Sequence, residues 1–189
     1  IDKYTSLWSK SKTTFIKKCY RKPIIHHSDL IKINPSRLEQ AKMPKIIIAG
    51  MVKEIEAFYD SRGEYLAGKS TTIILPDEQV NISERELIAL TGIINSKALS
   101  FWTSISLDSS KMSGAYYNLS KETIKKIPIP DLDLLRKSGL YDLISQVIKA
   151  KETDFKTNTK NCEDKINTIV YDLYNLTDTE RVVIENFLS

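Results

Sequence analysis

The sequence predicts an α+β fold, a mixed or antiparallel β-sheet lobe with packed helices followed by a C-terminal helical segment. Three observations predict it. β-Branched runs crowd between residues 45 and 75, too close together for crossover helices between parallel strands. Apolar residues recur at helical spacing from Leu87 onward. Capping boxes at Ser83-Glu84-Arg85-Glu86 and Thr177-Asp178-Thr179-Glu180 mark two helix starts.

The elements follow in order. Residues 1–44 read as irregular or mixed, because Pro23, Pro35 and Pro44 interrupt any long helix. Lys45-Ile46-Ile47-Ile48-Ala49, bounded by Pro44 and Gly50, has the composition of a buried strand. A second strand over 56–59 enters the turn Asp60-Ser61-Arg62-Gly63, and Glu64-Tyr65-Leu66 is expected to return from it as a hairpin. Ser70–Leu75 is a further strand, ended by Pro76. A helix carrying Leu87, Leu90, Ile93, Ile94 and Leu99 runs from Ser83 to about Lys97 or beyond. Residues 106–118 read as a polar loop, Ser120–Lys126 as a short helix, and Ile127-Pro128-Ile129-Pro130 as an extended strip. Two apolar faces, 140–148 and 166–174, and the final capped helix complete the chain.

The composition bounds the class. With 189 residues, 41% hydrophobic and 28% charged, and with six Gly and six Pro, the chain is neither disordered nor collagen-like. No apolar run approaches the roughly 18–20 residues of a membrane span. The expected division is an α/β lobe over 1–130, with 1–44 a basic lead-in, and a helical segment over 131–189. The start at Ile1, without an initiator Met or a signal pattern, reads as part of a longer protein. Two cysteines, Cys19 and Cys162, are too few for a disulfide framework and fit a reducing cytoplasm.

The net charge of +4 is unevenly distributed. Residues 1–50 hold 11 Lys/Arg against 3 Asp/Glu, whereas 51–130 hold 9 against 10 and 131–189 hold 8 against 11. A positive flank of +8 suits a polyanion or a basic linker. Within it Lys10, Lys12, Lys17, Lys18, Arg21 and Lys22 interleave with Trp8, Phe15 and Tyr20, cations for phosphates beside rings that anchor to a core or stack on bases.

Catalytic signatures are missing. The sequence has no Gly-rich phosphate loop, Gly-x-Ser-x-Gly elbow or His-Glu-x-x-His motif, and its two histidines are the adjacent His26 and His27. Glu163-Asp164-Lys165 has a nuclease-like form but sits at a helix start, where acidic residues favour the macrodipole. Asn34-Pro35-Ser36-Arg37 lacks the second proline and the ring of a base-flipping Asn-Pro-Pro-aromatic motif. The chain is therefore expected to hold no catalytic residues, no metal and no cofactor of its own. A binding surface remains. Ser109, Lys111, Tyr116, Tyr117 and Asn118 surround Gly114, and Arg62, Lys69 and Ser70 lie on turns. One of Tyr116 and Tyr117 is expected to face the core, since adjacent strand residues point to opposite sides.

Read together, Lys45-Ile46-Ile47-Ile48, Glu56-Ala57-Phe58-Tyr59-Asp60-Ser61-Arg62-Gly63-Glu64-Tyr65, Leu90-Thr91-Gly92-Ile93-Ile94-Asn95-Ser96-Lys97 and Tyr116-Tyr117-Asn118-Leu119 precede the Ile-Pro-Ile-Pro strip. This ordered set, with the tail from Ile166 to Thr177, resembles the TaqI-like C-terminal specificity domain of adenine-N6 DNA methyltransferases over roughly residues 45–189. The resemblance implies a target-recognition lobe for duplex DNA. It also implies a covalently linked N-terminal methyltransferase lobe that binds S-adenosylmethionine, and in fused restriction enzymes a nuclease using Mg. DNA contacts would fall to Lys17, Lys18, Arg21, Arg62, Lys69, Ser70, Ser109, Lys111, Tyr116, Tyr117 and Asn118. One departure stands out, since many relatives have Arg after the Lys-Ile-Ile-Ile strand and this chain has Ala49-Gly50.

A second reading, from another class, is a protein-interaction or dimerisation module that uses the C-terminal helices; neither reading fixes the oligomeric state. Steep salt dependence of DNA binding separates the two. If the basic lead-in sets affinity through phosphates, Lys17→Ala or Lys18→Ala in the intact protein lowers binding on every duplex sequence and flattens the salt dependence. Mobility-shift titration at two salt concentrations measures both, and a loss confined to particular sequences contradicts the assignment.

Overall fold

The computed structural model describes residues 3–5, 13–15, 18–20, 23–68, 70–77, 79–107 and 116–188. The fold is α+β, as the sequence predicts. In the lead-in, β1 (Thr13–Phe15) pairs antiparallel with β2 (Lys18–Tyr20). Two short helices follow, α1 (His27–Ile33) and α2 (Pro35–Lys42). Asn34-Pro35-Ser36-Arg37 is the start of α2. The Asn34 side chain accepts the Arg37 N–H at 3.1 Å, and Pro35 takes the first helical position, where its missing N–H costs nothing.

The central sheet has three antiparallel strands in the order β5 (Ala57–Asp60), β3 (Lys45–Ala49), β6 (Thr71–Ile74). Residues 45–48 of β3 are buried, as a strand covered on both faces must be. The expected 64–66 return strand is not formed. The chain instead crosses over from the Lys45 end of β3, where Asp60 lies, to the Ala49 end, where Thr71 pairs. The reason is local. The Asp60 carboxylate accepts the Glu64 and Tyr65 backbone N–H groups, each at 3.0 Å, which takes the donors a hairpin ladder would use. Gly63, at φ 62°, makes the turn, and a Cβ there would stand 2.0 Å from the Lys42 carbonyl oxygen.

The same carboxylate meets Lys45. Its Nζ lies 2.5 Å from Asp60 Oδ2 and also donates to the carbonyls of Ala41 (2.6 Å) and Met43 (3.2 Å). Both side chains are essentially sealed from solvent, at 1% and 2% exposure. All three ammonium protons are engaged, so the pair is buried without an unmet donor.

Helices α3 (Glu84–Ile94), α4 (Lys97–Ser106), α5 (Lys121–Ile124), α6 (Leu132–Lys137), α7 (Leu140–Thr153), α8 (Lys160–Leu173) and α9 (Asp178–Phe187) build the rest. Both capping boxes form as read. The Ser83 amide and hydroxyl, and then Arg136, hold the Glu86 carboxyl below its usual range, and the Arg136 contact ties α6 to the start of α3. The helix expected to continue past Ile94 breaks at Asn95-Ser96. The buried Asn95 amide bonds both the N–H and the C=O of Ala57 at 2.8 Å, and Ser96 caps α4. α6, not foreseen, starts where Asp131 accepts the Asp133 and Leu134 amides.

One continuous apolar cluster joins the sheet (Ile46, Ile48, Ala57) through α3 (Ile93, Ile94) to α7 and α8 (Leu140, Ile144, Ile166, Val170). The C-terminal helices therefore pack on each other and, by way of α3, on the sheet. Lys45→Met strands the Asp60 carboxylate in the interior. The expected loss is about 3–5 kcal/mol of unfolding free energy, read from urea unfolding followed by circular dichroism. A loss below about 1 kcal/mol, the scale of an exposed pair, contradicts the burial argument.

Candidate nucleic-acid interface

β3 ends at Ala49, but the chain stays extended in a second strand. After Gly50 it bends into β4 (Met51–Val52), which leaves the central sheet and pairs antiparallel with β7 (Tyr117–Asn118). Gly50 is the pivot. Its N–H donates to the Ser70 carbonyl and its carbonyl accepts the Leu119 N–H, both at 2.8 Å. A Cβ at this position would stand 2.7 Å from the Ser70 carbonyl oxygen, closer than side chains pack against backbone. Gly50 therefore has a packing reason: no side chain fits at position 50 while the Ser70 carbonyl lies against it.

Alternation sorts the side chains of the two-stranded ribbon. Val52 and Tyr117, at 3% and 5% exposure, face inward with Leu119 and anchor the ribbon. Met51 (56% exposed) and Tyr116 (40%) face outward, as do Lys53 and Asn118. The register sets Met51 opposite Asn118 and, continued by one residue, Lys53 opposite Tyr116. The Lys53 ammonium lies 5.3 Å from the centre of the Tyr116 ring, a cation–π contact. Among the described residues Lys53 has no carboxylate partner, while its neighbour Glu54 is turned to Lys3 at 2.7 Å. Beyond Asn118 the exposed Lys121, Lys125 and Lys126 follow, with Glu122 as the acid among them.

The predicted site residues divide accordingly. Ser70, Tyr116 and Asn118 come together around Gly50 and the ribbon. Tyr117 is the inward member of its pair, so its ring supports the surface from beneath. Arg62 is exposed beside Glu64 at 3.4 Å, in the turn after Asp60, at the opposite end of β3 from Gly50. Lys17, Arg21, Lys69, Ser109 and Lys111 lie outside the described residues, and of Lys18 the backbone in β2 is described. Met51 and Lys53 were not read as site residues. A two-residue strand leaves no periodic signal, and the hint was the Gly50 interruption after a β-branched run.

The remaining surface offers little chemistry. Among the described residues no group of three His, Cys, Asp or Glu could hold a metal ion. Glu163 and Asp164 are engaged by Thr159 and Lys160. An apolar cleft of about 360 Å³ runs between α4 and α9, lined by Leu99, Trp102, Pro128, Tyr174 and Val183, and Glu180 on its wall is taken up by its own capping box. Among the described residues no helix is long and apolar enough to cross a membrane.

Among the described residues, the exposed polar surface includes a short two-stranded ribbon with lysines beside it on an α+β domain. The sequence is matched over residues 1–129 by the model of the TaqI-like C-terminal specificity domain. The chain belongs to this family. Membership implies recognition of DNA in a methyltransferase context. The match includes the basic lead-in and ends at Ile129, which corrects the span of about 45–189 read from the sequence pieces. No curated protein matches the chain.

Gly50→Ala forces its methyl group onto the Ser70 carbonyl. The expected cost is about 1–3 kcal/mol, with amide exchange accelerated at Met51, Val52 and Leu119 in hydrogen-exchange measurements. Unchanged protection there contradicts the pivot.

Proposed function

We propose that this chain is the sequence-recognition domain of a site-specific adenine-N6 DNA methyltransferase within a restriction–modification enzyme. It binds duplex DNA and positions the target adenine for a catalytic lobe linked on its N-terminal side. The family match over residues 1–129 carries the reading. The physical logic agrees. Extruding a base costs unstacking energy, and an enzyme that does so gains from holding the duplex on both sides. A lobe that grips and reads needs cations and base-edge donors, and the described residues include both.

The α4–α9 cleft does not suit S-adenosylmethionine. The α4–α9 cleft is walled by Leu99, Trp102 and Val183, and its carboxylate, Glu180, is already bound by Thr177. In this reading the cofactor, and any Mg used for cleavage, belong to linked lobes, and the protein works in the cytoplasm. An Asn-Pro-Pro-aromatic motif encoded in frame upstream of Ile1 tests that linkage. The second reading, a protein-interaction or dimerisation module, is favoured by the exposed Val182, Val183 and Phe187 on α9.

Fluorescence-anisotropy titration of the 189-residue chain on a duplex tests the DNA reading. Affinity is expected to fall steeply with salt, with log K against log salt sloping about −0.9 per phosphate neutralised. Lys121→Ala is expected to weaken binding on all sequences alike. Binding insensitive to salt, or none at low salt, overturns the reading.

A further inference from the structure

We propose that the outer face of the β4–β7 ribbon is the base-reading edge of the domain. It enters the major groove, where Asn118 reads an adenine and Met51 packs against a thymine methyl. This rests on the DNA-recognition reading and carries it from the domain to individual side chains.

Shape comes first. Paired strands lie about 4.8 Å apart, so a two-stranded ribbon enters a major groove about 12 Å wide. Base readout also needs a platform that does not move. Val52 and Tyr117 are buried beneath the ribbon, and Gly50 is hydrogen-bonded to Ser70 and to Leu119 at its base.

The chemistry of the exposed face selects DNA. The Asn118 side-chain amide is exposed and has no hydrogen-bond partner among the described residues. Its paired acceptor and donor complement the adenine N6–H and N7 presented in the major groove. Directly opposite, Met51 is an apolar side chain exposed to 56%, suited to the thymine methyl. Lys53 is two residues further along, roughly 6.8 Å or two base-pair steps. Its side chain is directed by the Tyr116 ring, and it can reach a guanine edge or a phosphate. Lys121, Lys125 and Lys126 follow within eight residues of Asn118 with Glu122 the acid among them, a cationic shoulder for the phosphates that border the groove. A protein partner would favour a denser apolar centre than one methionine and one half-exposed tyrosine.

The test is selection from a pool of DNA duplexes with a randomised centre, at low ionic strength, using the intact 189-residue chain and its variants. Circular dichroism checks that each variant is folded. The unaltered chain is expected to enrich a consensus. Asn118→Asp is expected to replace adenine by cytosine at one position, because a carboxylate accepts from the cytosine N4–H but cannot donate to adenine N7, with roughly tenfold or greater loss on the original site. Should that variant not fold, Asn118→Ala is expected to lose the adenine preference instead. Met51→Ala is expected to relax a thymine at the same or an adjacent base pair. Lys126→Ala is expected to lower affinity on all sequences and reduce the salt slope by about 1, with the consensus intact. If the Asn118 and Met51 variants keep both consensus and affinity, the ribbon proposal is overturned while the DNA-recognition reading stands. Enrichment of no sequence by a chain that still binds duplexes also overturns the ribbon alone. Binding to no duplex removes both.

Discussion

A lysine and an aspartate sealed inside the molecule decide how the central sheet is connected. Lys45 opens β3 and Asp60 closes β5, and the register places them side by side. Withdrawing two charges from water costs several kcal/mol per ion unless every proton and lone pair finds a partner. That condition determines the geometry around the pair. The Ala41 and Met43 carbonyls must turn inward to accept from Lys45, which ends α2 and starts β3. The Glu64 and Tyr65 amides must turn inward to donate to Asp60, which takes the chain out of a hairpin and into a crossover. The Arg37 guanidinium then holds the far part of that crossover through the Ala67 carbonyl.

The crossover delivers Ser70 to Gly50, and so the ion pair at one end of β3 sets what happens at the other. With the Ser70 carbonyl fixed on the Gly50 N–H, the strand cannot continue straight in the sheet with a side chain at that position. It bends, and from the next residue, Met51, it has a new partner in β7. The ribbon is thus a consequence of sheet topology, held beneath by Val52, Tyr117 and Leu119 and open above. Separating the two faces separates their jobs. Inward residues pack into the core, and outward ones are exposed.

Much of the fold was legible because its signals are local. Ser83 and Thr177 each carry a complete capping box within four residues, and both boxes form. The burial of β3 was readable from three consecutive isoleucines. That one of Tyr116 and Tyr117 faces inward followed from strand alternation, and the structure shows it to be Tyr117. The features that escaped depend on partners distant in sequence. Asn95 breaks a helix because Ala57, 38 residues earlier, supplies both of its hydrogen bonds, and nothing near Asn95 announces that. The loss of the 64–66 strand likewise depends on Lys45. Of the residues that the structure groups at the ribbon, Tyr116, Asn118 and Ser70 were named from side-chain chemistry, and Met51 and Lys53 were not. Their relevance comes entirely from pairing with a strand more than 60 residues away.

In the proposed reading the domain must hold its shape while presenting a reading surface, and the bent strand is one physical way to do both. Rebuilding a reading surface on a long helix or on the sheet itself would alter residues that also pack the core, at several kcal/mol for each large side chain truncated. Here the outward residues of β4 and β7 contribute little to the interior, and their positions are set by backbone hydrogen bonds and by the residues between them. Substitutions at Met51, Lys53, Tyr116 or Asn118 therefore act on an exposed surface, where changes in stability are typically within about 0.5 kcal/mol. The family match ends near the strip that follows β7, while the apolar cluster continues without a break into α7 and α8. The C-terminal helices thus complete the core that keeps the ribbon rigid. If the ribbon reads bases as proposed, it requires that completed core, because a reading edge displaced by even one ångström would no longer meet the base edges.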